Sequence, residues 1–500
     1  MTLPELIHQA LGLTLPSSLP AQTVTGIAQD SKRVQPGYIF VARRGAVQDG
    51  HYFADKAIAQ GAIAIVGTAF SAEVEAFPWR WQVPYIKVED DKKALAQLAA
   101  AFHGYPSHAL TNIGVTGTDG KTTTAYLLHH LLSERHRTGL LSTAAIRIAE
   151  ETLEPEGHFT SPEASEVQAS LARFRDASLS HAVIEASSHG LAMHRLDSIA
   201  YAVGVWTNLS PEHLDYHGSF EAYRQAKTLL MQRSDLSVLN GDDPSCAVFA
   251  AASQKVVRYG IEAEDLDWRA SQLESSSQGS YFQLEVTQEA SSFSASAFVP
   301  LPGRYNVYNA LAALAAAHAC GSDLHSLLAR LAEFPGVPGR MQIVQQQPFT
   351  VIVDFAHTPA ALQTLLETVR PLYAGQCILV IGAAGERDPS KRQPLGNIAV
   401  RLSDFVIFTE EDSRSEDIEK ILAQLVQGAE EAGGRKGQDF CCFSERRAAI
   451  NHAMRLAQPG DVVVLCGKGH ERSLERNHSL LPWDEVAEAQ AALAALHNAD

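Results

Sequence analysis

The chain has 500 residues, 40 Lys+Arg against 57 Asp+Glu, a formal charge of -17 and a hydrophobic fraction of 46%. At about 150 residues per domain this length gives about three domains with full cores, and the composition excludes a largely disordered chain. The acidic balance argues against coating nucleic acid or an anionic membrane, yet a few local cations and backbone dipoles can still hold small anions.

Residues 1–108 mix short apolar runs with turns at Pro36-Gly37 and Asp49-Gly50. Tyr38–Val41, Ala62–Val66 and Tyr85–Val88 read as strands, and Lys92–Phe102 as an Ala/Leu-rich helix before the break at Gly104-Tyr105-Pro106. A second domain is expected over 109–338. It opens with a buried strand at Asn112–Val115, a Gly-rich turn and a helix at Lys121–Ser133, followed by strands at Ala182–Ala186 and Tyr201–Trp206. That order is the doubly wound α/β pattern. Alternation over Phe282–Val286 and Phe293–Phe298 predicts a small antiparallel patch, and Asn306–Cys320 a long helix ending at Gly321. Pro335–Gly339 is the clearest linker. Strands at Val351–Asp354, Cys377–Ile381, Phe405–Phe408 and Asp461–Leu465 then alternate with helices, predicting a third, Rossmann-like α/β domain over 339–500.

Six cysteines without a C-x-x-C pair make no disulfide framework, and Cys441-Cys442 reads as one inward and one outward side chain of a strand. The first residues lack a secretory signal, and no apolar stretch reaches the ~18 residues of a membrane span. A soluble, monomeric protein of the reducing cytoplasm is expected, with neither nucleic acid nor membrane as partner.

The strongest local signal is Gly114-Val115-Thr116-Gly117-Thr118-Asp119-Gly120-Lys121-Thr122-Thr123. Between a strand and a helix, such a loop turns backbone N–H groups and a helix N-terminus toward phosphate oxygens. Lys121 can reach the β/γ oxygens of ATP, and the Thr122 hydroxyl can ligate Mg²⁺. Val115 breaks the strict Walker spacing. Glu185 stands at the end of a strand, where α/β sheets hold ligands. His213 and His217 are spaced i, i+4 and by themselves read equally as turn histidines, and Lys227 by itself as a solvated helical lysine.

Taken in order, Gly-Val-Thr-Gly-Thr-Asp-Gly-Lys-Thr-Thr-Thr, Glu-Ala-Ser-Ser-His-Gly-Leu, Thr-Asn-Leu-Ser-Pro-Glu-His-Leu-Asp-Tyr-His-Gly and Val-Asp-Phe-Ala-His-Thr-Pro resemble the Mur ligases. Within them the chain is most similar to those that add a diamino acid to UDP-N-acetylmuramoyl-L-alanyl-D-glutamate. The resemblance spans nearly the whole chain, from Asp30-Ser31 to Gly467-Lys468-Gly469-His470-Glu471.

It implies an ATP-dependent amide ligase of peptidoglycan precursor synthesis working through an acyl phosphate, with charge stabilisation dominating both steps. Lys121, His213 and Lys227 take the catalytic positions. Gly117, Thr118, Asp119, Gly120, Lys121, Thr122, Thr123, Asn306, Arg340 and Asp354 match ATP-binding positions. Thr122, Glu185, His213 and Lys227 match metal positions, Lys227 being the lysine that the family carbamylates. The first domain would bind the UDP-sugar, with Ser31, Ala46, Val47 and Gln48 contacting it, joined by Thr160, Ser161, Ser187 and Arg195. Asp119 stands where many relatives carry Asn, and Met193 where some carry Gln. The third domain would bind the amino acid through Arg387, Asp412, Arg414, Gly467 and Glu471, and Pro335–Gly339 would act as a hinge between the two halves of the nucleotide site.

Substrate choice turns on one departure. Ligases selecting meso-diaminopimelate carry Asp-Asn-Pro-Arg, where this chain reads Glu411-Asp412-Ser413-Arg414. A distal zwitterion wants an Arg and an amide, whereas a plain ω-ammonium wants acids and no nearby cation. Glu410, Glu411 and Asp412 favour L-lysine or L-ornithine, while Arg414 pulls the other way. The alternatives are a folylpolyglutamate synthase-like or D-Ala-D-Ala-adding sibling, and a P-loop ATPase or kinase of another class.

Overall fold

The computed structural model describes residues 1–16, 21–45, 48–68, 83–154, 160–288 and 291–497. They form two compact units, Met1–Trp268 with Ala312–Leu324, and Arg269–Leu311 with His325–Asp500. The fold is the α/β class expected, with mostly parallel sheets covered by helices.

The first unit holds two sheets. Gly26–Ala28, Tyr38–Ala42, Ala64–Gly67 and Tyr85–Lys87 pair in that order, all parallel. A parallel sheet buried on both faces needs continuous apolar strands, which Tyr38–Ala42 supplies. Ile39 and Val41 face a core made by helices Leu3–Leu11 and Asp91–Phe102, while Phe40 and Ala42 pack on Ala54 and Ala57 from the other side. The second sheet runs Val256–Gly260, Ser234–Asn240, Tyr201–Trp206, Thr111–Thr116, His181–Glu185 and Thr138–Leu141, all parallel. It continues into the antiparallel pieces Ile146–Ile148 and Glu151–Leu153.

Strand order fixes where the first unit can hold a ligand. Thr111–Thr116 lies between Tyr201–Trp206 and His181–Glu185, so the chain leaves it in one direction and returns on its other side. Doubly wound sheets open a crevice at the carboxyl ends of such strands. Three loops meet there, at 116–121, 186–188 and 207–213.

The second unit has a six-stranded sheet: Gln342–Gln345, Thr350–Asp354, Val462–Cys466, Cys377–Ile381, Phe405–Phe408 and Phe440–Cys442. Only its first strand is antiparallel. Helices Pro359–Val369, Arg392–Leu402 and Ile418–Glu431 cover one face, and Arg446–Leu456 and Glu485–His497 the other. Cys441 packs against one of these cores and Cys442 against the other. Both are half-buried, so neither is the outward residue that the sequence suggested. The predicted antiparallel patch is the hairpin Gly279–Gln288 with Ser291–Val299, in which Phe282 opposes Ala297. Among the described residues no helix is long and apolar enough to cross a membrane.

Candidate active site

The candidate phosphate loop is built by its own backbone and by the loop after strand Tyr201–Trp206. Gly117 has φ +152°, and a Cβ there would stand 1.8 Å from the Thr207 hydroxyl. Only glycine fits. Thr118 N–H donates to the Asn208 carbonyl (3.0 Å) and Asp119 N–H to Asn208 Oδ1 (2.9 Å), while the Thr207 hydroxyl donates to the Asp119 carbonyl (2.6 Å). Thr118 Oγ1 lies 3.0 Å from the Tyr223 hydroxyl. Gly120, in the left-handed region at φ +82°, caps helix Lys121–Leu132 without a side-chain bond. The first N–H groups of that helix therefore receive no side-chain cap, the arrangement in which a helix N-terminus can take an anion. Lys121 Nζ folds back on the Thr118 carbonyl at 2.6 Å.

Beside the loop, the buried Thr122 hydroxyl donates to Glu185 Oε1 (2.9 Å), and Thr143 N–H to Glu185 Oε2 (3.0 Å). Lys227, on helix Phe220–Gln232, is fully buried over the Tyr223 ring and donates to the Gly117 carbonyl at 2.6 Å. Burial first, then the Lys121 charge, lowers its amine well below the usual lysine value. His213 begins the short helix Leu214–His217 in a left-handed conformation, edge-on to His189 at 4.7 Å. Partial burial, then Lys121 and Lys227, pushes its imidazole down to about 4. Thr123 is buried in the first turn of the loop helix.

Among the described residues no group of three His, Cys, Asp or Glu side chains could hold a metal. The structure brings together Thr122 and Glu185, and it places Lys227 against the loop carbonyl. Two oxygen donors suit Mg²⁺, which is typically held by one or two carboxylates plus phosphates and water.

Among the nucleotide-sugar candidates, the buried Ser161 hydroxyl lies 3.0 Å from the Ser187 hydroxyl and accepts from Ser187 N–H (3.1 Å), and Arg195 Nη1 donates to the Ser161 carbonyl (3.0 Å). Thr160 adjoins them, half-buried. Ser31 is buried in the turn Ser31–Arg33, whose preceding Asp30 caps it, and Gln48 is exposed. Ala46 and Val47 lie outside the described residues. Two residues no motif singled out join this group, Arg43 and Glu163. Glu163 takes Arg43 Nη1 at 2.6 Å and Arg195 Nη2 at 2.8 Å. A Glu two residues after Ser161 was the only clue available.

The second unit carries the other nucleotide candidates. Asp354 is buried, and its carboxylate accepts from Met341 N–H (2.7 Å) and Ala356 N–H (2.8 Å). Burial raises its pKa while Arg340 opposes. Arg340 lies over the Phe355 ring at 4.2 Å, and Asn306 donates to the Pro302 carbonyl (2.8 Å).

Of the amino-acid candidates, Asp412, Arg414 and Glu471 sit in a partly buried charge network of the same unit. Asp412 pairs with Lys468 (2.9 Å), which also holds Glu471 (2.5 Å). Burial raises the Glu471 pKa against the pull of Lys468. Arg414, at φ +51°, is tied to Glu475 (3.0 Å) and the Gly385 carbonyl (2.5 Å). Glu410 takes Arg476 at 2.5 Å, and fully buried Arg446 takes Glu485 at 2.5 Å. Glu411 differs. It is buried, its Oε2 has no partner among the described residues, and it lies against Gly467, where a Cβ would meet it at 2.9 Å. Arg387 is exposed on the neighbouring loop.

Comparison with known proteins follows the same map. The chain matches the model described as Mur ligase family, catalytic domain, over residues 23–103, Mur ligase middle domain over 115–317, and Mur ligase, glutamate ligase domain over 339–469. It is 45% identical over 492 residues to a UDP-N-acetylmuramyl-tripeptide synthetase of Deinococcus radiodurans, covering 97% of this chain and 98% of that one. It is 37% identical to a UDP-N-acetylmuramoyl-L-alanyl-D-glutamate--2,6-diaminopimelate ligase of Halalkalibacterium halodurans, over 94% of each chain. A solved structure of a ligase with that name superposes with a TM-score of 0.67 at 31% identity, covering 99% of this chain and 100% of that one. The chain belongs to the Mur ligase family of ATP-dependent ligases.

Proposed function

We propose that this ligase joins a diamino acid to UDP-N-acetylmuramoyl-L-alanyl-D-glutamate, taking L-ornithine or L-lysine ahead of meso-diaminopimelate. The substrate carboxylate attacks the γ-phosphorus of ATP, giving an acyl phosphate and ADP. The free amine of the diamino acid then adds to the acyl carbon, loses a proton, and expels phosphate as the amide forms. Both steps gather oxyanion charge, so placed cations and N–H donors supply most of the rate.

In this reading Lys121 swings from the Thr118 carbonyl to the phosphates, and the helix N-terminus behind Gly120 receives them. Thr122, Glu185, His213 and Lys227 would hold Mg²⁺, which when bound neutralises phosphate charge. The lowered pKa of Lys227 favours a neutral amine, the form that adds CO₂ to become a carbamate oxygen donor. Ser31, Ala46, Val47, Gln48, Thr160, Ser161, Ser187 and Arg195 would contact the nucleotide-sugar dipeptide. Asn306, Arg340 and Asp354 would serve the nucleotide, with Asp354 keeping its present backbone bonds. The three matched segments support separate UDP-sugar, ATP and amino-acid domains at 1–108, 109–338 and 339–500.

The observation that carries the diamino-acid preference is the Oε2 of Glu411, which has no hydrogen-bond partner among the described residues. Six carboxylates (Glu410, Glu411, Asp412, Glu471, Glu475, Glu485) meet four cations (Arg414, Arg446, Lys468, Arg476) in that network. The excess is negative, and a bound ω-ammonium would offset it. Arg414, the group a distal carboxylate would need, is already engaged by Glu475 and a carbonyl. The name of the Halalkalibacterium relative favours diaminopimelate instead. Phosphate release with ATP, the UDP-linked dipeptide and each diamino acid tests the reaction. Release that needs all three supports it, and release from ATP alone would make the chain an ATPase of another kind.

A further inference from the structure

We infer that Glu475 is a positioning residue that withholds Arg414 from the distal carboxylate of a diamino acid, and so sets the preference for a plain ω-ammonium. The inference rests on the amino-acid site proposed above and adds a residue outside every motif.

Strands Ser473–Arg476 and Ser479–Pro482 form an antiparallel hairpin that is bonded to the segment carrying Asp412 and Arg414. Glu475 N–H donates to Asp412 Oδ1 (2.8 Å), Arg414 N–H to the Glu475 carbonyl (3.1 Å), and Asn477 N–H to the Arg414 carbonyl (2.6 Å). These bonds hold Arg414 at φ +51°, a backbone region that few residues other than glycine adopt. The hairpin therefore sets where the arginine side chain starts.

A guanidinium has two edges that can grip a carboxylate with parallel N–H bonds, Nε with Nη2 and Nη1 with Nη2. Glu475 Oε2 takes Nε at 3.0 Å, and the Gly385 carbonyl takes Nη1 at 2.5 Å. Each edge has thus given one of its two donors to the protein. A carboxylate brought to the Nε edge would also stand against the charge of Glu475. The Gly385 contact is made by backbone, so Glu475 is the restraint that a side-chain change can lift.

Clamping the hairpin does not account for this ion pair. Main-chain N–H bonds already make that joint, and side chains 16% and 25% exposed form a pair that water weakens. What the pair changes most is what Arg414 can offer a ligand. An ω-ammonium is served by the neighbouring acids and needs no guanidinium, whereas a distal carboxylate needs the edge that Glu475 holds.

The test compares kcat/KM for L-ornithine, L-lysine and meso-diaminopimelate in wild-type protein, Glu475→Ala, Arg414→Gln and the double variant. In Glu475→Ala the ratio for meso-diaminopimelate over L-ornithine or L-lysine rises about 10-fold or more, the scale of one charge-assisted contact, with the KM for ATP unchanged. The same change made on Arg414→Gln leaves the ratio where Arg414→Gln alone puts it. A ratio that stays put or falls in folded Glu475→Ala overturns the inference, as does a rise that persists without Arg414. Should Glu475→Ala fail to fold, Glu475→Gln decides: it keeps the shape and loses the charge, so the ratio still rises. A wild type that prefers meso-diaminopimelate contradicts the proposed preference instead, and a further rise in Glu475→Ala would still support the restraint on Arg414. A wild type that ligates none of the three contradicts the proposed function and the inference with it.

Discussion

Replacing Glu411 by methionine should make the protein more stable and a worse enzyme. The residue is 6% exposed and its Oε2 has no hydrogen-bond partner among the described residues, while Glu410 and Asp412 on either side pair with Arg476 and Lys468. Leaving a buried polar group unmade costs about 1–3 kcal/mol, and methionine has nearly the same shape without the charge. Glu411→Met should therefore gain about 1–3 kcal/mol in urea unfolding. If Glu411 receives the ω-ammonium, the same change removes a charge-assisted bond worth about 1.5–3 kcal/mol, or about 10–100-fold in the KM for the diamino acid. The two readouts move in opposite senses, as expected where a binding group is held under strain. A variant that is less stable, with an unchanged KM for L-ornithine and L-lysine, would refute the reasoning.

Three further outcomes follow from the geometry. Gly117→Ala drives a Cβ into Thr207 at a backbone angle of φ +152°, so ATP-dependent turnover should fall by about 10–100-fold for 1–3 kcal/mol of strain, as read by initial rates. Arg446→Ala leaves the fully buried Glu485 without its ion-pair partner, and chemical denaturation should show a loss of about 3–5 kcal/mol. His129 is held down at about 4 by burial and then by Arg147, and His181 at about 4 by burial and then by His136. Below about pH 6.5 the unfolded chain takes up protons that the folded one refuses until about pH 4, so stability falls as pH drops through that window. Melting curves of His129→Gln should show a shallower fall than the wild type.

Much of the fold could be read from apolar runs bounded by glycine and proline. Tyr201–Trp206, Cys377–Ile381 and Phe405–Phe408 end where the runs end. Thr138–Leu141, Ser234–Asn240 and Val256–Gly260 escaped, because Thr, Ser, Gly and Arg interrupt them and only their neighbours in the sheet make them strands. The strand, glycine turn and helix around Gly117–Lys121 were legible because that pattern is local: glycine, lysine and threonine fall within a few residues of chain. The charge network around Glu410–Asp412 was legible only in part. Sequence exposes three adjacent acids at Glu410–Asp412, but not that Arg476 and Lys468, more than fifty residues later, cancel two of them. Nor could it show that Glu475 occupies Arg414. The Arg43–Glu163–Arg195 group joins segments that local pattern never relates.

The most direct test is a competition in which L-ornithine, L-lysine and meso-diaminopimelate are supplied together at equal concentration. ATP and UDP-N-acetylmuramoyl-L-alanyl-D-glutamate are provided in excess, and the products are separated by mass. A UDP-linked tripeptide ending in ornithine or lysine should dominate, because Glu411 Oε2 has no hydrogen-bond partner among the described residues and Arg414 is already bound. A product carrying mainly diaminopimelate would contradict that assignment, and the absence of any tripeptide would contradict the ligase reaction itself.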